Sequence, residues 1–175
     1  MLILLPPINP VGLKYKSRYN KDGYDVNRDF RDFKTDEAKI QKLEIDLFCP
    51  DVIVSFHEHP HDGFMFFCTD IVPGYLKDKI ITRLKLENVE LINKPFFIKT
   101  PGSEMGVTTL GWFMRFFMIL FGLYSLARYT RSRKIIDIIT ENDWKEKDLD
   151  KRISPHLLVV EEILKNYTKS QHVNN

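Results

Sequence analysis

The sequence predicts an α/β fold with parallel strand pairs. Three observations carry that reading: short β-branched runs bounded by turn residues, helical apolar spacings between them, and a His-rich polar string directly behind one of the runs. In such sheets ligands belong at the carboxyl ends of the strands, which directs attention to the residues found there.

Met1 to Leu5 is wholly apolar and reads as a buried strand, stopped by Pro6 and Pro7, which remove backbone donors. Residues 9–29 are rich in Asn, Gly, Asp, Lys and Arg without apolar periodicity, and read as a surface loop that can carry functional side chains. A helix begins at Thr35 or Asp36, either of which can cap it. Ala38, Ile40, Leu43, Leu47 and Phe48 give its apolar spacing, and Pro50 ends it. Val52 to Phe56 reads as a central strand that delivers His57 at its C-terminal end, and Phe64 to Cys68 as a second strand. Pro73-Gly74 turns into a helix near residues 76–87, followed by short strand candidates at Val89 to Ile92 and Phe96 to Ile98.

Leu110 to Ala127 is apolar on nearly every helical face. As a membrane span it would place Arg115 in hydrocarbon at a cost of about 2.5–3.5 kcal/mol, so a covered helix is the expectation. Membrane contact through residues 110–134 is the alternative, because Arg128, Arg131, Arg133 and Lys134 follow the apolar run. Thr140 to Arg152 reads as a charged, solvated connection. Ser154-Pro155 then starts a terminal helix with Leu157, Val160, Ile163, Leu164 and Tyr167 as its apolar side. The expected organisation is one domain over residues 1–168 with a frayed tail at 169–175.

Composition bounds the function. At 175 residues, 43% hydrophobic and 29% charged, the chain has the makings of one globular core. A net charge of +2, from 26 basic and 24 acidic residues, argues against nucleic acid as the main partner. The two cysteines, Cys49 and Cys68, are too few for a disulfide scaffold, form no CxxC pair, and read as half-buried thiols of a reducing compartment. The N-terminus lacks a basic region and has two early prolines, so it is no signal peptide and a cytoplasmic location is expected.

Chemistry concentrates in an ordered series. Asn9-Pro10-Val11-Gly12 follows the first apolar run, Ser17-Arg18-Tyr19-Asn20 and Gly23-Tyr24-Asp25-Val26-Asn27-Arg28-Asp29-Phe30 come next, and Asp51 to His57 with Glu58 closes it. A guanidinium fork matches a carboxylate bidentately and a neighbouring amide adds a donor without charge, so Asn27-Arg28 suits a substrate carboxylate. Read blandly, the same arginines make rim salt bridges with Asp25, Asp29 and Asp32. A neutral imidazole at a rigid strand end is a good zinc donor, which singles out His57. His59 and His61 are expected to face outwards or to support it from behind. A self-contained site of His57, His59 and His61 is the poorer alternative, since Pro60 breaks the alternation.

In order and spacing the series resembles the zinc carboxypeptidases, including the succinylglutamate desuccinylase and aspartoacylase branch, over residues 1–107. The resemblance implies a three-layer α/β/α sandwich with a mixed central sheet. It implies that Asn27 and Arg28 bind the substrate carboxylate, that Arg18 polarises the scissile carbonyl, and that His57 is the third zinc ligand. Thr100 to Gly106 resembles the late Thr-x-Glu segment of that family, which would make Glu104 the general base; the alternative is an acid at the N-terminus of the apolar helix. Val11 stands where the family usually has Asp. The family's His-x-x-Glu motif, source of its first two zinc ligands, has no counterpart here, so the resemblance implies an N-terminally truncated domain that lacks a segment or a partner chain. The expected function is a metallocarboxypeptidase-like hydrolase acting on a peptide or small acyl-amino acid, incomplete in this chain. The alternatives are a non-catalytic carboxylate-binding remnant and a membrane-associated protein.

Overall fold

The structure is a computed structural model that describes residues 2–92, 106–109 and 125–173. The expected strand at Phe96 to Ile98, the apolar stretch over 110–124 and Glu104 lie outside these residues. The chain divides into two compact units, Met1–Asp51 with Arg115–Ile135, and Val52–Met114 with Ile136–Asn175.

In the first unit Leu2, Ile3, Leu4 and Leu5 form no strand and are 57, 38, 81 and 46% exposed, contrary to the buried strand expected. A strand needs a neighbour for its backbone, and among the described residues this run has none. The expected loop begins instead with helix α1 (Pro10–Tyr15), capped by the Asn9 side chain, which accepts from Gly12 N at 2.8 Å. A Cβ at residue 12 would lie 2.3 Å from Asn9 Nδ2 and 2.5 Å from the Ser17 carbonyl oxygen, so the Asn-Pro-x-Gly turn admits only glycine.

Helix α2 (Asp36–Phe48) starts and stops where the sequence places it, with Thr35 as cap, accepting from Ala38 N at 3.2 Å. Its inward face is a different one. Ala38, Gln41 and Ile45 are buried while Ile40, Leu43 and Leu47 are 58, 65 and 67% exposed. Polar ties fix the rotation. Asp46 accepts from Lys42, from the Tyr129 hydroxyl at 3.0 Å and from Arg133 Nε at 3.2 Å, joining α2 to helix α4 (Leu126–Ser132) and its C-terminal neighbour. Tyr129 packs with Phe30 and Phe33 at ring separations of 6.2 and 5.3 Å, and the Arg133 guanidinium sits 3.8 Å over its ring.

The second unit holds a mixed four-stranded sheet, in the order β1-β4-β2-β3, from strands β1 (Val52–His59), β2 (Met65–Cys68), β3 (Val107–Thr109) and β4 (Ile136–Asp143). β1 runs parallel to β4 and β2 parallel to β3, while β2 is antiparallel to β4. The α/β class with parallel pairs is thus as expected. The sequence reading placed β1 in the centre, but among the described residues it is an edge. It also missed β4, read from Thr140 onwards as a solvated connection. Glu141 and Asp143 are half-buried on one face, while Ile138 and Thr140 turn to the other and are fully buried; Asp137, on the face of Glu141, is buried as well.

Helices α3 (Gly74–Leu86) and α5 (Leu149–Val173) lie side by side, joined by an Arg83–Glu161 pair at 3.8 Å. Their inner faces, Leu76, Ile80, Leu84, Val159 and Ile163, close on Phe64, Phe66, Ile136 and Ile138 of the sheet. Each such side chain contributes about 1.5–3 kcal/mol on burial. Val89 to Ile92 gives one bridge, between Leu91 and Phe64, rather than a strand. Of the cysteines, Cys49 is exposed and Cys68 buried.

Helix α5 starts before the expected Ser154-Pro155 boundary and carries Pro155 inside it. Proline has no N–H for the carbonyl one turn back and its ring presses on that turn. Asn142 of β4 supplies what is missing: its buried side-chain amide donates to the carbonyls of Lys151 and Arg152 at 3.0 and 2.9 Å. Leu157 and Leu164, expected on the apolar side, are exposed, while His156, Val159 and Ile163 take the sheet side. Asn142→Ala should therefore cost about 1–3 kcal/mol of stability, the loss of two part-buried hydrogen bonds. In a Pro155→Ala background that cost should shrink, because residue 155 regains its donor. Urea titrations of the four proteins of this cycle measure the difference; equal costs in both backgrounds would reject the compensation.

Candidate functional site

The register of β1 and β4 sorts their side chains. Val52, Val54, Phe56 and Glu58 share the α5 face with Ile136, Ile138, Thr140 and Asn142, while Ile53, Ser55, His57 and His59 share the other face with Asp137, Ile139, Glu141 and Asp143. On that second face His57 is the register partner of Glu141 and His59 that of Asp143, on strands about 4.8 Å apart. Two imidazoles and two carboxylates are therefore register partners on one face, at the carboxyl ends of a parallel pair, where open sheets bind ligands. Sequence reasoning found His57 and missed Glu141. The available signal was that Ile135 to Ile139 followed by Thr140-Glu141 repeats the pattern of Val52 to Phe56 followed by His57, an apolar run ending in a reactive side chain.

His59 does not face outwards; it is 3% exposed. Its Nδ1 accepts from His61 N at 3.0 Å, so the proton of the neutral ring sits on Nε2. Burial holds its pKa below the ordinary histidine value, helped by the nearby His61 and opposed by the Asp143 charge. A metal does not fit here unaided. Among the described residues no group of three or more His, Cys, Asp or Glu side chains is placed to hold an ion, His57, His59 and His61 included.

The face behind the pair is locked by one hydroxyl. Thr140 Oγ1 lies 3.2 Å from the Ser55 carbonyl oxygen and 2.6 Å from His156 Nδ1. Its single proton goes to the carbonyl, so His156 must donate from Nδ1. His156 is 6% exposed, stacked on Phe56 at 4.9 Å and edge-on to Phe64 at 5.4 Å.

Arg18, Asn27 and Arg28 belong to the first unit and are organised by two aspartates. Asp25 accepts from Arg18 Nε at 2.6 Å and caps the 3₁₀ turn Val26–Arg28 through Asn27 N at 3.1 Å. Asp29, buried, accepts from Thr35 N and Oγ1 at 2.6 and 2.8 Å, tying the turn to the start of α2. Burial alone would raise the Asp29 pKa, but these bonds and the Lys34 backbone outweigh it and hold the carboxyl below its ordinary value. Asn20, from the Ser17-Arg18-Tyr19-Asn20 segment, is buried; it accepts from Asp22 N and Tyr24 N at 3.0 and 2.9 Å and donates to Glu37 at 3.0 Å.

With the geometry in place, comparison with known proteins becomes informative. Residues 1–50 match the sequence profile of a family described as a protein of unknown function, DUF2817. No curated protein matches the chain. Solved structures do, three of them described as candidate metallopeptidases: one from Shewanella denitrificans OS217 at 23% identity and TM-score 0.70, covering 92% of this chain and 59% of its own. Others come from Shewanella amazonensis SB2B, at 17% identity, TM-score 0.66 and coverage of 90 and 60%, and Shewanella baltica OS155, at 21%, 0.68 and 93 and 62%. The fold is metallopeptidase-like. At these identities the likeness establishes the fold alone, and the chain spans about three-fifths of the length of those structures. Among the described residues no helix is long and apolar enough to cross a membrane.

His156 gives the site's scaffold an acid limit. Burial first, then the neighbouring His57, lowers its pKa from 6.5 to about 4. Above pH 6.5 the ring is neutral folded and unfolded, and its contribution is complete. Between pH 6.5 and about 4 the unfolded chain takes up a proton that the folded chain refuses, so stability falls with pH, by about 3 kcal/mol at the lower end. His156→Gln should flatten the plot of urea midpoint against pH over that window, and an unchanged acid limb would contradict the assignment.

Proposed function

We propose that this chain carries part of a metallopeptidase-like hydrolase site that cleaves a peptide or acyl-amide bond next to a substrate carboxylate. The observation that supports it best is the pairing of His57 with Glu141 at the ends of parallel strands. Glu141 is the general base: a carboxylate on a rigid strand that takes the proton of the attacking water and returns it to the leaving amine. Glu104, the base expected from the resemblance, lies outside the described residues and is tested beside it. By resemblance Asn27 and Arg28 hold the substrate carboxylate, Arg18 polarises the scissile carbonyl and His57 is one ligand of a zinc site that needs further donors. Arg18 is exposed and held by Asp25 in a surface pair worth about 0–1 kcal/mol, so little opposes its turning to a substrate. The lack of a metal-holding group among the described residues favours a second reading, a non-catalytic module that retains the carboxylate clamp.

The clamp is tested by calorimetric titration with an N-acetyl amino acid and its amide. The carboxylate should bind more tightly, and Arg28→Ala should weaken it by about tenfold or more, the loss of a charge-assisted hydrogen bond, while leaving the amide unchanged. Equal binding of the two ligands would sink the clamp. Dialysed against a weak chelator, the chain should retain well below one zinc. In an enzyme assembled with the further zinc donors, Glu141→Gln should lower kcat for N-acyl amino acids by about 10²–10⁴-fold, and Glu104→Gln far less. Turnover retained by Glu141→Gln would reject the base. Carboxylate binding with no turnover in that assembled enzyme would select the binding module.

A further inference from the structure

Arg18, Asn27 and Arg28, each with a part in the proposed chemistry, all meet one residue that has been given none. Asp25 Oδ2 accepts from Arg18 Nε at 2.6 Å, its Oδ1 from Asn27 N at 3.1 Å, and its backbone carbonyl from Arg28 N at 2.9 Å. One residue thus fixes the head of Arg18 and the start of the turn Val26–Arg28, of which it is the cap. The loop from Arg18 to Asp25 is itself built. Besides the bonds of its side chain to Asp22, Tyr24 and Glu37, buried Asn20 donates its own N–H to the Tyr24 carbonyl at 2.9 Å.

Only the Nε edge of the Arg18 guanidinium is engaged, and its two terminal nitrogens have no partner among the described residues. An exposed arginine samples many rotamers, and binding through it costs the freedom it loses. Tethered at Nε, Arg18 keeps the donors of both terminal nitrogens in one plane, held by the residue that also holds Asn27 and Arg28. Charge acts the other way. As an anion Asp25 repels an incoming carboxylate and competes with the ligand for Arg18, so the two effects differ in sign. We propose that Asp25 is a positioning residue, which aims the terminal nitrogens of Arg18 at the substrate's acyl carbonyl and keeps them in register with Asn27 and Arg28. The inference rests on the part given above to Arg18, and in it preorganisation outweighs repulsion.

The test is calorimetric titration of the 175-residue chain with an N-acetyl amino acid and with its amide, which share the acyl carbonyl. Asp25→Asn keeps an oxygen to cap Asn27 but loses the charge that holds Arg18. It should weaken both ligands by about tenfold, the loss of a preset charge-assisted donor, whereas Arg28→Ala weakens the acid alone. In an Arg18→Ala background the same change should cost less than about twofold, because Asp25 acts through Arg18. The Arg18 Nε–H signal in magnetic resonance spectra, assigned by its loss in Arg18→Ala, should be sharp in the parent and broadened by exchange with water in Asp25→Asn. Circular dichroism checks each fold, and Asp25→Ser, which can still cap the turn, replaces Asp25→Asn with the same expectation if that variant unfolds. Tighter or unchanged binding by the Asp25 variant, an equal cost in both backgrounds, or an Arg18 signal indifferent to Asp25 would overturn the proposal. So would a parent that binds neither ligand. Equal binding of acid and amide, with the dependence on Asp25 and Arg18 intact, would remove the carboxylate clamp and support this proposal.

Discussion

The parallel pairing of β1 with β4 is the constraint from which the rest of the second unit follows. Side chains alternate across a sheet, so a slip of one residue would carry Glu141 to the α5 face and leave His57 beside Thr140 or Asn142. Register is enforced from the side opposite the candidate chemistry. There Ile136 and Ile138 must enter the core, and the Thr140 hydroxyl reaches the Ser55 carbonyl only in this alignment. The His57–Glu141 pair is thus placed by packing and polar satisfaction on a face it does not share.

Much of the fold was legible where a local cause was sufficient. Thr35 and Pro50 bound α2, Pro73-Gly74 opens α3, and the β-branched run at Val52 is a strand, because caps, prolines and β-branching act within a few residues. What failed needed distant partners. The inward face of α2 depends on Asp46 meeting Tyr129 and Arg133, which no periodicity encodes. The apolar Leu2 to Leu5 run promised a strand, yet strand formation is a property of pairs. β4 was hidden because charge on alternate positions of Ile136 to Asp143 resembles a solvated segment when its neighbours are unknown.

The candidate site divides along the same line. His57 could be read from the strand that delivers it and Arg18, Asn27 and Arg28 from their ordered motif. Glu141 could not, since its relevance comes from lying beside a residue far away in sequence. In the first unit the acids and bases have separable tasks. Asp25 and Asp29 are committed to backbone and side-chain donors of the turn and of α2. The charge-rich loop is therefore a built scaffold, and its composition alone could not show which carboxylates support the turn.

Asn142 and Pro155 carry an implication for the order of assembly. Carbonyls in the first turns of α5 take donors from Asn142 of β4, so a detached peptide covering residues 149–173 would begin its helix near Ser154, where the sequence alone puts the boundary. The turns from Leu149 to Ile153 close when the sheet is already in place. Helix extension then becomes a late, cooperative step, and the length of α5 reports whether its neighbour strand has docked.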